Sequence, residues 1–206
     1  MKKLLFLVLM GIVSLTMCAQ NSSPLYELNG KGVIELVDGT LIEGDIYYNA
    51  SNAGRVKITV SGEDEQTKYK VNEVARFTVG DIEYLNMTPS GVIGNGGIFV
   101  TLISNKEYDI KIYKYYIQNK DLVYSYYVDE ITYYVQLPNE EKLIDINDMK
   151  LTPFHKKLPK YIADCTELCE KISKKEKGYK IGMLTTLDKK LEIYKKIAEE
   201  YNQSKI

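Results

Sequence analysis

Residues 32–48 read Gly-Val-Ile-Glu-Leu-Val-Asp-Gly-Thr-Leu-Ile-Glu-Gly-Asp-Ile-Tyr-Tyr, and this stretch encodes a β-hairpin. Ile34, Leu36, Ile42 and Ile46 are apolar, with Glu35, Glu43 and Asp45 between them, so each arm alternates with period two. The apolar residues of both arms share a face only if the loop has an odd number of residues. A three-residue loop ending with Gly39 in the left-handed conformation satisfies that parity, because glycine carries no Cβ to clash there. Asp38 is then a turn residue and not a catalytic acid.

Working outward, residues 20–30 read as a tether into the first strand, and Asn49 to Gly54 as a polar turn. Arg55 to Val60 alternates again, the acids of Ser61 to Asp64 make an exposed turn, and Lys68–Val71, Val74–Val79 and Ile82–Leu85 follow as short strands. Short, evenly spaced strands predict a small barrel or roll rather than a βαβ unit. Residues 86–97 carry four glycines and one proline, which marks a loop and a subdomain boundary. A phosphate-cradling loop is the sharper alternative. It lacks the Gly-Lys-Ser/Thr ending, and a strand, not a helix, follows it.

A second β block runs through Ile98–Ile103, Tyr108–Tyr116, Leu122–Val128, Ile131–Leu137 and Lys142–Ile146. Asn105-Lys106-Glu107, Asn119-Lys120-Asp121, Asp129-Glu130 and Pro138-Asn139-Glu140 read as separators of an antiparallel meander. Tyr113, Tyr115, Tyr116, Tyr124, Tyr126, Tyr127, Tyr133 and Tyr134 offer rings for stacking a sugar. Adjacent tyrosines on a strand point to opposite faces, so they cannot all line one groove, and cross-strand packing is the better reading. The chain has 18 tyrosines and no tryptophan, a balance that suits sheet surfaces.

After Asp148 the period becomes helical. Thr152-Pro153 reads as a cap with proline at the first helical position, and Pro159 limits that helix. Asp164 reads as the next cap, with Glu167 completing a capping-box arrangement. Cys165, Leu168, Cys169 and Ile172 fall on one face, and Gly178 is a natural stop. The last helix begins near Thr185 or Thr186 and carries Leu187, Leu191, Tyr194, Ala198 and Tyr201 along one stripe. The predicted layout is therefore residues 1–19 as signal peptide, 20–86 and 97–148 as two small antiparallel β subdomains, barrel-like or roll-like, and 152–203 as a C-terminal helical appendix.

The first nineteen residues explain the export reading. Lys2 and Lys3 precede an apolar run from Leu4 to Leu15, followed by Thr16-Met17-Cys18-Ala19. That run is shorter than the about 20 residues a membrane-spanning helix needs, which points to a signal peptide cut after Ala19 and no transmembrane span in the mature chain. A lipoprotein starting at Cys18 is a second reading, which Met17 disfavours because a small residue belongs there. Removing Lys2 and Lys3 from the 27 basic side chains, against 28 acidic ones, moves the formal charge from −1 to −3. So balanced a chain lacks the basic stripe that nucleic acid demands.

Chemistry is sparse. Cys165 and Cys169 with His155 are the one metal-like cluster, and a closed site still lacks a fourth ligand. The two thiols also suit a buried face, or a strained disulfide. His155 is the sole histidine, there is no Gly-x-Ser-x-Gly elbow, and no pair of acids stands out as a glycosidase would need. No catalytic, cofactor-binding or metal-ligating residue is therefore assigned.

The hairpin Gly-x-Ile-x-Leu-x-Asp-Gly-Thr-x-Ile-x-Gly-x-Ile over Gly32–Ile46 resembles the opening of uncharacterised exported proteins common in Bacteroidetes. Tyr161-Ile162-Ala163-Asp164-Cys165-Thr166-Glu167-Leu168 is similar to their tail motif, in which an aromatic-x-x-Asp-Cys-x-x-Leu pattern opens a helix; Cys169 is an addition. The resemblance implies a periplasmic or outer-envelope location and no defined activity. The hairpin is also similar to that of Sm-like small barrels, without their RNA-binding loops. The expected function is a non-catalytic exported envelope binding or scaffold protein with a protein partner, or a glycan. An envelope hydrolase acting on glycan or peptide is the alternative.

Overall fold

In the computed structural model, which describes residues 27–50, 54–91, 96–120, 127–148 and 153–205, the hairpin belongs to a ten-stranded sheet. For 117–120 and 127–129 only the backbone is described. The strands are β1 (Glu27–Leu36), β2 (Leu41–Asn49), β3 (Arg55–Val60), β4 (Gln66–Lys70), β5 (Val74–Val79), β6 (Ile82–Met87), β7 (Ile98–Leu102), β8 (Lys111–Lys120), β9 (Tyr127–Gln136) and β10 (Ile144–Asp145). Their order is β10-β9-β8-β7-β6-β5-β1-β2-β3-β4, with antiparallel pairing throughout. The protein is mainly β with helices at its C-terminal end, as the alternation and the later helical period predict. The sheet is open, with β4 and β10 as its edges, and does not close into a barrel. The signal-peptide and Cys18 readings, with most of the tether, lie outside the described residues.

The hairpin has the predicted parity. Ile34 opposes Ile42, the Leu36 N–H donates to Thr40 O at 2.8 Å, and Gly39 takes φ +87° in the loop Val37-Asp38-Gly39. Asp38 Oδ1 accepts from the Thr40 N–H at 2.9 Å, a turn-closing bond that holds its carboxyl below the usual range.

Curvature comes from a line of four residues across four strands. Gly32 and Gly44 face each other in the β1–β2 ladder. A Cβ on Gly32 would sit 1.9 Å from Thr78 O of β5, and one on Gly44 would sit 2.2 Å from Thr59 O of β3. Both glycines share the inward parity of Ile34 and Ile46, so the outer strands curl over this pair toward the interior. β5 adds a bulge: Leu36 opposes Val74 while Glu35 opposes Arg76, which leaves Ala75 extra. That extra residue lets Val74 and Phe77 both face inward. Inside the curl, Phe77 stacks on Tyr84 at 4.7 Å and meets Phe99 edge-on at 4.9 Å, with Tyr48 at 5.1 Å from both Phe77 and Tyr84.

The two predicted β blocks meet through β6 and β7, where Leu85 opposes Val100 across the glycine-rich connection. Residues 92–95 of that connection lie outside the described residues. Asn119 and Lys120 are not separators, since they pair with Val128 and Tyr127 in the β8–β9 ladder. Asp129-Glu130 is not a separator, since both residues pair within the β8–β9 ladder, opposite Gln118 and Ile117. Tyr108 is not strand; it follows a turn in which Asn105 Oδ1 accepts from the Glu107 N–H at 3.0 Å.

Alternation on β8 divides its two faces. Ile110 and Ile112 join Val135, Ile144 and Ile146 under the helices, while Tyr113 and Tyr115 pack on the other face with Val100 and Leu143. Tyr113 and Tyr115 are buried, and Tyr115 contacts Tyr134 at 6.3 Å, so these rings build structure rather than a stacking platform. Tyr124 and Tyr126 lie outside the described residues, as does the Tyr127 side chain.

The helices are α1 (Phe154–Lys157), α2 (Thr166–Ser173) and α3 (Leu187–Gln203). Thr152 lies outside the described residues, and Pro153 occupies the cap position of α1 rather than its first turn. Asp164 does not cap α2. Cys165 holds that position, because the Asp164 carboxylate is engaged by Tyr201 of α3. Thr186 caps α3 by accepting from the Lys189 N–H, and Ile193, Tyr194, Ile197, Ala198 and Tyr201 bury its inner stripe.

Candidate binding groove

The loop from β7 to β8, Lys106 to Asp109, and the turn from β9 to β10, Leu137 to Glu140, form one wall of a groove of 730 Å³. Lys160 to Asp164 and the C-terminal end of α3 form the other. Local sequence fixes each lip. The Glu140 N–H donates to Leu137 O at 3.0 Å around Asn139, whose φ of +63° suits asparagine. Gln136 is held between two partners: Tyr113 Oη donates to its Oε1 at 3.0 Å, and its Nε2 donates to Glu140 O at 3.1 Å.

Tyr201 and Lys205 lie one helical turn apart and tie the two walls together. Tyr201 Oη donates to Asp164 Oδ1 at 2.9 Å and approaches Oδ2 at 3.0 Å. Lys205 Nζ reaches across to Asp109 Oδ2 at 2.5 Å, lies 3.4 Å from Asp164 Oδ2, and caps the Tyr201 ring at 4.5 Å. Burial pushes Asp164 upward, but the Tyr201 hydroxyl and the Lys205 ammonium outweigh it and hold its carboxyl below the usual range. Asp109, through its bond, raises Lys205. The groove's two converging acids therefore bracket one ammonium.

That arrangement can bind, and it leaves Asp164 ionised and so poorly set to act as a general acid, which must keep its proton. A carboxyl with an upward shift does exist elsewhere: burial raises Asp145 in β10, where its Oδ1 accepts from the Asn147 N–H at 2.7 Å. Asp145 does not line the groove. Its raised folded pKa works against stability at neutral pH, and the deficit disappears as pH falls through that pKa. Asp145→Asn keeps the acceptor without the charge. Its melting temperature is expected to equal or exceed that of the wild type at pH 7, with the difference closing on acidification. For Tyr201→Phe, loss of the hydroxyl is expected to cost about 1 kcal/mol in denaturant titration.

The cysteine and histidine cluster does not assemble. Cys165 is buried and Cys169 half-buried, both as free thiols, and Cys169 Sγ donates toward Ile162 O at 3.2 Å and Pro159 O at 3.4 Å. Burial, then Cys165 and Asp164, push the Cys169 thiol up, which keeps it protonated. His155 lines a different cavity with Lys175 and Lys180. Among the described residues, no three His, Cys, Asp or Glu side chains gather as a metal site requires.

Sequence reasoning named Asp164 and Tyr201, but as a cap and a core residue, and it passed over Asp109 and Lys205. The available signal was Tyr-x-x-x-Lys at the end of the last helix, which places an aromatic ring and a cation on one face. No protein-family model, curated relative or solved structure matches the chain.

Proposed function

We propose that this chain is a non-catalytic, exported binding protein of the cell envelope, similar to the Bacteroidetes type, and that the groove grips an extended segment of a protein partner. The observation that carries the reading is the Asp109–Lys205–Asp164 bridge. It pairs both Asp109 and Asp164 with one internal cation and holds the Asp164 carboxyl ionised, which suits gripping a partner better than donating a proton. Export rests on the apolar run after Lys2 and Lys3; among the described residues, no helix is long and apolar enough to cross a membrane.

A polypeptide suits the groove better than a glycan. Its lips interleave Lys106, Glu107, Asp109 and Lys111, with Glu140 and Lys160 also lining it, a pattern of both signs that a mixed-charge peptide complements. The Tyr201 ring is buried and is covered by Lys205, so it offers no face for stacking a sugar.

The test is a photo-crosslinker at Tyr161 in the groove, with a second at Val37 on the exposed hairpin tip as control, applied in native envelopes. One protein adduct is expected from position 161, none from 37, and Lys205→Glu is expected to lower the yield about tenfold. Equal adducts from both positions would argue against the groove.

A further inference from the structure

A second cavity, of 460 Å³, opens beside the N-terminal half of α3, where Lys190 and Tyr194 line it. At 1.5 Å per helical residue, Lys190 lies about 20 Å along α3 from the groove end at Lys205. Its charge is one-sided. Lys175, Lys180 and Lys190 line it together with His155, against a single acid, Asp148. Three other lysines of this region are ion-paired: Lys171 to Glu167 at 2.7 Å, Lys174 to Glu170 at 2.6 Å and Lys189 to Glu192 at 2.6 Å. Lys175 and Lys180 have no ion pair among the described residues, and Lys190 Nζ donates to the neutral Asn147 Oδ1 at 2.8 Å. Burial, then Lys175 and Lys156, hold the His155 pKa below that of ordinary imidazole.

Two further features mark the same spot. Lys175 adopts φ +57°, and it closes α2 with its N–H donating to Ile172 O at 3.1 Å while the Glu176 N–H donates to Lys171 O at 3.0 Å. This is the position where helices ordinarily place glycine, and a lysine there costs about 1 kcal/mol. Strain retained beside a cavity points to use of that side chain. On the rim, Met183 and Leu184 are each 97% exposed. A tight turn fixes this tip, with the Gly182 N–H donating to Thr185 Oγ1 at 2.8 Å and the Thr185 N–H donating to Gly182 O at 3.1 Å.

We propose that this face docks on an anionic lipid surface, with Lys175, Lys180 and Lys190 receiving a phosphate headgroup and Met183-Leu184 entering the acyl boundary. Cations alone would serve a soluble phosphate. An apolar tip held in a tight turn beside them adds to a bilayer contact, where burying each side chain is favourable and each nearby lysine adds electrostatic attraction. This site and the groove sit at opposite ends of α3, and neither depends on the other.

The chain lacks tryptophan, so Met183→Trp provides one reporter at the tip with no background. The protein, in the form its own cells produce, is titrated with phosphatidylglycerol–phosphatidylcholine vesicles and with phosphatidylcholine vesicles. A blue shift of emission is expected on the first alone, and Lys175→Glu with Lys180→Glu in that background is expected to weaken it about tenfold or more. Lys175→Gly separates binding from folding: it relieves the backbone strain, so thermal stability should rise while vesicle affinity falls. No shift on anionic vesicles, an equal shift on both, or an unchanged affinity in the charge-reversed protein overturns the proposal. Binding of soluble glycerol phosphate with no vesicle response overturns the lipid assignment as well.

Discussion

Gly32→Ala is expected to destabilise the protein by about 3 kcal/mol or more, a drop of about 6–12 °C in melting temperature for a domain of this size. The added methyl would lie 1.9 Å from Thr78 O, 2.8 Å from Thr78 C and 2.9 Å from Ile46 Cδ1. Two of those neighbours are backbone, so relief requires β5 to withdraw from β1 and the curl to open. Gly39→Ala is the matched control. Gly39 has a positive φ but no atom within 4 Å of a built Cβ, so only conformational strain is paid, about 1 kcal/mol. Equal losses from the two substitutions would mean that the Gly32–Gly44 line does not set the curvature.

Phe77→Ala carries the second large effect, about 3–5 kcal/mol. Phe77 is fully buried, and its ring touches three others: Tyr48 at 5.1 Å, Tyr84 at 4.7 Å and Phe99 at 4.9 Å. Phe99 belongs to β7, across the glycine-rich connection, so this one ring couples the hairpin half of the sheet to the tyrosine-rich half. The cavity left by alanine cannot collapse easily, because the neighbouring rings are held by strands on both sides. Phe77→Leu, which keeps most of the volume, is expected to lose less than about 1.5 kcal/mol. Urea titration distinguishes them through the midpoint, with an unchanged slope if the denatured state is the same.

Local chemistry was legible in this chain wherever one residue type answers one local demand. Gly39 closing an odd loop, Thr186 capping α3, and Tyr194, Ala198 and Tyr201 on the inner stripe of that helix follow from parity and period alone, whereas Ile193 and Ile197, also buried there, fall outside the predicted stripe. What was not legible depends on partners distant in sequence. The return of β5 to β1 rather than to β4 is fixed by the ladder from Ile34 to Phe77, and no local pattern announces it. Asp129 and Glu130 carry turn-like side chains but pair within a long ladder. Asp164 has the sequence of a cap, and a tyrosine 37 positions later claims its carboxylate instead. The groove is the extreme case: Lys205 meets Asp109 across a separation of 96 residues, and each alone reads as an ordinary solvated charge. The strained Lys175 was hidden in another way, because Gly178 three residues on offered a conventional stop.

Binding in the groove without cleavage is read out by mass. Solubilised native envelope is passed over immobilised wild-type protein and over Tyr161→Ala and Lys205→Glu variants, and the retained material is weighed by mass spectrometry before and after prolonged contact. Retention by the wild type, loss of about tenfold or more in both variants, and a retained protein whose mass does not change are expected. Shortened peptide or glycan products released by the wild type, and absent when Asp109 and Asp164 are changed to asparagine, would contradict binding without cleavage and assign the groove to a hydrolase.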